Sequence, residues 1–211
     1  MQKDIIMIRL IESEWLFVRF IQGLFVLYAI YTVLIGDPVS SVLILFGLVL
    51  TMIPSFAEEK FCIALPLGLK SLIGFSLFLH VAGGLHMWYV DFYPYYDKIA
   101  HFISGMTVGL IIFLAFVLLN QKGVFTLNKR NVVGGILGLL LLLELIWEGA
   151  EWAFDELLKT DFWHGIIDTI FDISFSLIGA IAAVVIALGY LRYMPNIPIG
   201  KRYSQRDVFM P

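Results

Sequence analysis

The sequence predicts an all-α protein: a polytopic membrane bundle of six transmembrane helices with its N- and C-termini cytoplasmic. Composition, the length of the apolar windows and the placement of the basic residues predict it. Hydrophobic residues make up 60% of the 211 and charged residues 15%, against roughly 45–50% and about 25% in an ordinary soluble domain, and the mean hydropathy is +0.91. Six windows reach or approach the roughly 20 apolar residues that cross a hydrocarbon core; they run at about 15–35, 38–54, 66–87, 100–119, 132–153 and 166–191. With the N-terminus inside, Lys3, Arg9, Arg19, Lys60, Lys70, Lys122, Lys129, Arg130, Arg192, Lys201, Arg202 and Arg206 fall on the cytoplasmic side, and only Lys98 and Lys159 on the other. That asymmetry is the one that orients multispanning proteins.

The first window has one long apolar run and no small-residue cleavage site, so it reads as a retained helix and not as a signal peptide. The second is short and ends at Pro54. The third opens at Pro66, because proline suits a first helical turn and Lys70 can then snorkel back to the interface. Outside the membrane, MWYVDFYPYYDK and FDELLKTDFWHG supply Trp and Tyr for an interfacial belt. No repeat, low-complexity tract or long loop divides residues 1–211, so the chain reads as a single transmembrane domain. The lone Cys62 excludes an intrachain disulfide, and a net charge of −3 gives no reason to expect nucleic acid. Expected partners are membrane lipids or lipid-linked substrates, ions and other membrane helices, with a homo-oligomer left open.

The stretch LLLLELIWEGAEWAFDE, residues 140–156, sets acid groups in an apolar span. From a start at Val132, a rise of about 1.5 Å per residue puts Glu144 about 18 Å in and Glu148 about 24 Å in, with Glu151 close to the outer interface. Glu144, Glu148, Glu151 and Asp155 fall within about 60° of one another on a helical wheel. The fourth window begins with Asp97 and His101 four apart, and the sixth with Asp168 and Asp172 four apart, spacings that share a helix face. His80 belongs to the outer half of the third window, and His86 and His164 lie in or beside the outer loops. Below these groups, Gly105 and Gly109, and Ser176, Gly179 and Ala183, are small residues of the kind that let membrane helices approach closely. The fourth, fifth and sixth windows are therefore expected to pack around one outward-opening pocket.

A charge near the middle of a bilayer costs on the order of 2.5–3.5 kcal/mol, so protons, a cation or hydrogen bonds must compensate. Glu151, Asp155, Asp161 and His164 are open to ordinary solvation at the interface; Glu144, Glu148 and His101 are open to a neutral, helix-gluing role. His80, alone on an apolar face, reads first as a packing residue. Against these stands a cation site of carboxylates with one or two imidazoles, a donor set that suits Mn, Zn, Fe, Mg or Ca. In that scheme His101, Glu148, Asp168 and Asp172 are metal ligands, Glu144 or Glu151 is the catalytic base, and Asp97 and His80 are further pocket residues. The corresponding function is a cation-dependent enzyme acting on a lipid or lipid-linked headgroup at the outer leaflet. A proton- or cation-coupled transporter or lipid flippase, and a membrane scaffold or assembly factor, remain open beside it. No Ser-His-Asp grouping and no H-E-x-x-H fixes a reaction class.

YDKIAHFISG, then ELIWEGAEW, then DTIFDISFSLIGA resembles the YjdF family of bacterial inner-membrane proteins over about residues 80 to 190. The resemblance implies a multipass protein of a prokaryotic inner membrane. It carries over Asp97, His101, Glu148, Glu151, Asp168 and Asp172 as the family's polar signature. A fainter similarity is to VanZ-like proteins, in a D-K-x-x-H-F start at Asp97, Lys98, His101 and Phe102 and a later D-x-x-x-N-x-x-G-A matched at Asp172, Gly179 and Ala180. Ser176 replaces the Asn of that pattern and Glu151 stands where that family has Gln, so no glycopeptide-resistance role is transferred.

Overall fold

The computed structural model describes residues 2–61, 65–85, 88–92, 95–158 and 163–193. Cys62, His86, Lys159, Asp161, Lys201, Arg202 and Arg206 lie outside them. The described residues form helices and no strand: α1 Gln2–Leu34, α2 Pro38–Phe61, α3 Leu69–Leu85, the single turn α4 Trp88–Asp91, α5 Tyr95–Gln121, α6 Lys129–Leu158 and α7 Ile166–Tyr193. Five are long and apolar enough to cross a membrane, over Leu10–Leu34, Ser40–Lys60, Tyr95–Gln121, Lys129–Leu157 and Ile166–Arg192. The third expected span is shorter, since α3 has 17 residues and at about 1.5 Å each covers about 26 Å of a core about 30 Å thick.

Helix ends depart from the apolar windows for identifiable reasons. The first helix begins at Gln2, well before residue 15, because a helix propagates through polar residues once nucleated and need not stop where the apolar run does. It stops where Gly36 takes φ 82°, a conformation that glycine adopts without a Cβ penalty. Asp37 then caps α2: its Oδ1 accepts the Ser40 N–H at 3.1 Å and its Oδ2 the Ser40 hydroxyl at 2.5 Å, with Pro38 in the first helical position. Pro54 does not end α2, which continues to Phe61 with the buried proline inside it. Pro66 does not open α3 either. It precedes a turn at Gly68, φ 89°, whose N–H donates to Glu14 Oε1 at 2.9 Å, while Glu58 accepts the Leu65 N–H at 2.8 Å and pairs with Lys70 at 2.9 Å.

Packing divides the chain into two compact units, one ending at Asp91 and the other starting at Phe92. In the first, Ile21, Phe25, Ala29 and Ile44 form the core, with Phe78 edge-on to Phe25 at 5.6 Å between ring centres. Gln22 reaches Thr51 across 3.2 Å and the Thr32 and Ser41 hydroxyls meet at 2.8 Å, so these four buried polar groups of α1 and α2 satisfy one another.

In the second unit α5, α6 and α7 pack together. The closest approach is between α5 and α7, where a Cβ on Gly105 would strike the Ser176 carbonyl and one on Gly179 the Phe102 carbonyl. A Cβ on Gly109 would lie 2.7 Å from that of Ala183 and 3.4 Å from Ile136 of α6, and Ile136 and Leu140 are fully buried. Gly105→Leu and Gly179→Leu are therefore expected to cost at least about 1–3 kcal/mol of overpacking. Gly134→Ala, whose Cβ would meet nothing within 4 Å, is expected to hold or raise stability through helix propensity. Thermal unfolding in detergent tests the contrast; equal midpoints for all three would mean that the close approach does not support the bundle.

Candidate functional site

The α5–α7 contact aligns two stripes of polar residues. Along α5, Asp97 and His101 stand above Gly105; along α7, Asp168 and Asp172 stand above Ser176. Asp97 and Asp168 occupy the first turns of their helices, where exposed N–H groups and the helix dipole favour negative charge. Helix α6 faces them with Glu144 and Glu148, which are 8% and 5% exposed.

Lys98 sits among the aspartates. Its Nζ donates to Asp168 Oδ1 at 2.6 Å, Asp172 Oδ1 at 2.9 Å and Asp97 Oδ2 at 3.0 Å, which uses all the donors of an ammonium group. The face of Phe171 lies 5.8 Å from the same nitrogen. Sequence reasoning placed Lys98 only as an outer charge; its position directly after Asp97 in D-K-x-x-H was the available signal.

His101, 6% exposed, is fixed from one side. Its Nδ1 lies 3.3 Å from Ser176 Oγ and 3.6 Å from Glu144 Oε2. Ser176 spends its own hydrogen on the His101 carbonyl at 3.2 Å, so it accepts at Nδ1 and the proton is assigned to Nδ1. The other nitrogen, Nε2, faces Asp97 Oδ1 at 3.6 Å and Asp172 Oδ1 at 3.9 Å, too far for hydrogen bonds. Asp97, His101 and Asp172 each offer a ligand atom within 4.8 Å of the others. Ligands about 2.1 Å from a tetrahedral ion are about 3.4 Å apart, so the spacing is close to what a small divalent cation needs.

Glu148 has a different set of neighbours. The Trp163 indole N–H donates to Thr169 Oγ1 at 3.0 Å, and Thr169 Oγ1 donates to Glu148 Oε2 at 2.8 Å. Because an indole N–H is only a donor, the direction of this chain is settled: Thr169 must pass its hydrogen to Glu148. Glu148 Oε1 is buried without a hydrogen-bond partner, as is Glu144 Oε2. Thr169, Trp163 and Ser176 were missed as polar partners, although Thr169 is next to Asp168 and Ser176 continues the i, i+4 stripe of α7.

The remaining candidates fall at the margin or elsewhere. Glu151 is half-buried on α6, Asp155 accepts the Trp163 N–H at 2.8 Å, and the exposed His164 has Nδ1 3.6 Å from Asp168 Oδ2. His80 is on α3 and belongs to the first unit.

Apolar helices of spanning length and a polar cluster inside one of the two units define a multipass α-helical membrane protein. The chain belongs to the family described as predicted membrane protein (DUF2238), whose model matches residues 17–193; the YjdF family is this family. No curated protein matches the chain, and no solved structure matches it. The hydrogen-bond chain makes its own prediction: Thr169→Val strands both the Trp163 N–H and Glu148 Oε2 and costs about 1–3 kcal/mol, whereas Trp163→Phe leaves the Thr169 bond to Glu148 in place and costs less at that carboxylate. Thermal unfolding of the two variants checks the order, and a greater loss for Trp163→Phe would contradict the chain as drawn.

Proposed function

We propose that this protein is a cation-dependent enzyme of a prokaryotic inner membrane that acts on a lipid or lipid-linked headgroup at the outer leaflet. The observation that carries the reading is the group formed by the half-buried Asp97 with the buried His101 and Asp172. In the second unit five carboxyl groups, those of Asp97, Glu144, Glu148, Asp168 and Asp172, gather with Lys98, the buried His101 and, at the exposed margin, His164, an excess of acid that a divalent cation compensates.

Asp97, His101 and Asp172 would hold that cation, with Ser176 and Glu144 orienting the imidazole from its far nitrogen, a common arrangement around ligating histidines. A bound cation would supply Lewis-acid polarisation and an activated water. Glu148 is the proton acceptor in this scheme: with Oε2 committed to Thr169, Oε1 is the atom left to take a proton, and a base must reach its proton directly or through one water. Asp168 acts through Lys98. The outward orientation rests on the twelve-to-two division of basic residues.

Coupled transport of protons or cations is the second reading, favoured by the succession of Glu144, Glu148 and Glu151 along one helix, the first two buried. Proton- or cation-driven uptake into proteoliposomes that Glu148→Gln abolishes would replace the enzyme reading with this one.

Elemental analysis of the purified, detergent-solubilised protein is expected to find about one divalent metal ion per chain, retained in Glu148→Gln and lost in His101→Ala and Asp172→Asn. A metal-free protein whose thermal unfolding ignores Mn, Zn, Mg, Ca and chelators would overturn the cation site and leave a helix-joining hydrogen-bond network. For orientation, Lys159→Cys in a Cys62→Ser background is expected to react with an impermeant maleimide in intact cells, and Asn120→Cys only after lysis. The reverse pattern would invert the protein.

A further inference from the structure

Lys98 is bonded to three acid groups of the second unit, and it is held by some of the groups that make the candidate cation site. Asp172 Oδ1 accepts from Nζ at 2.9 Å and is also the oxygen 3.9 Å from His101 Nε2. Asp97 is divided between them, with Oδ2 3.0 Å from Nζ and Oδ1 3.6 Å from Nε2. Asp168 is held only on the lysine side, at 2.6 Å, and is not part of the Asp97, His101 and Asp172 group.

We infer that Lys98 is a tethered competitor for the divalent-cation site, sharing Asp172 and Asp97 with the ion and withdrawing onto Asp168 when the ion binds. The inference rests on the proposed cation site and adds to it the residue that sets its affinity and selectivity. Two positive groups cannot share one carboxylate oxygen at close range without repulsion, which grows as the dielectric falls inside a bundle. Binding of the ion must therefore weaken the hydrogen bond between Lys98 and Asp172. Asp168, in the first turn of α7, keeps a carboxylate for the ammonium, so the lysine is not stranded.

A second observation separates the site from a finished salt bridge. Were Lys98 the only cation intended, the cluster would end with the three aspartates it bonds. Instead Glu144, buried and 8% exposed, sets Oε2, an oxygen with no hydrogen-bond partner, 3.6 Å from His101 Nδ1, and the opposite nitrogen lies 3.6 and 3.9 Å from carboxylate oxygens of Asp97 and Asp172. This second, histidine-centred place for positive charge lies beside the one the lysine fills. Competition from an ammonium group favours ions of higher charge, so the site would discriminate against Na and K.

The test is Mn titration of the detergent-solubilised full chain at one pH, comparing the natural protein with Lys98→Met, Lys98→Arg and Asp168→Asn. Lys98→Met is expected to bind Mn at least about tenfold more tightly, about 1.4 kcal/mol, and to lose discrimination against Na. Lys98→Arg is expected to stay near the natural affinity. Asp168→Asn, which removes the reserve partner, is expected to bind more weakly. Should Lys98→Met fail to fold without the ion, its folding on Mn addition supports the inference, and the Arg and Asn variants still carry the comparison. Equal affinity in the natural chain, Lys98→Met and Asp168→Asn would overturn competition while leaving the cation site intact. Binding by Lys98→Met alone would support competition but make the lysine the resident cation of the natural chain. No binding by any of them would overturn the proposed cation site itself.

Discussion

The backbones of α5 and α7 meet at Gly105 and Gly179, where a side chain on either residue would collide with a carbonyl of the other helix. The polar contacts between α5 and α7 follow from that approach. It brings His101 within 3.3 Å of Ser176 and lets Lys98, one residue past Asp97 on α5, reach both Asp168 and Asp172 on α7. In lipid there is no water to exclude between helices, so association depends on close van der Waals packing and interhelical hydrogen bonds. Here the glycines provide the first and the polar stripe the second.

The same approach creates the electrostatic problem. Removing one partner of a buried charge pair costs several kcal/mol, about 3–5 by experiment, so the three aspartates on Lys98 depend on it and it on them. The arrangement also has a direction. Trp163, Thr169 and Glu148 form a one-way chain of hydrogen bonds, and Ser176 fixes the histidine proton on Nδ1. Those assignments leave Glu148 Oε1 without a hydrogen-bond partner and turn His101 Nε2 toward Asp97 and Asp172, and the proposed chemistry uses these two atoms.

Much of the fold and a good part of the site were legible in the sequence because four-residue spacing on a helix is unambiguous. Asp97 with His101, Asp168 with Asp172 and Glu144 with Glu148 could be assigned to shared faces, and the small residues below them to a close contact. What escaped depended on geometry between helices. A lysine counts the same in a charge tally whether it lies in water or among carboxylates, so Lys98 read as an outer charge. Ser176 read as a small packing residue because its hydroxyl gains meaning only from the histidine opposite. Helix ends were misread where local rules were overruled: Pro54 sits inside α2, and α3 waits for the Gly68 turn that Glu14 and Glu58 hold.

The central claim is that Asp97, His101 and Asp172 hold one divalent ion through the imidazole Nε2. Pulsed electron paramagnetic resonance of the Mn-loaded protein in detergent tests it most directly, because a nitrogen bonded to the ion modulates the echo and a carboxylate does not. The account predicts a single histidine nitrogen coupled to Mn, absent in His101→Gln and retained in His80→Gln. Bound Mn with no nitrogen coupling, or a coupling that survives His101→Gln, would contradict it.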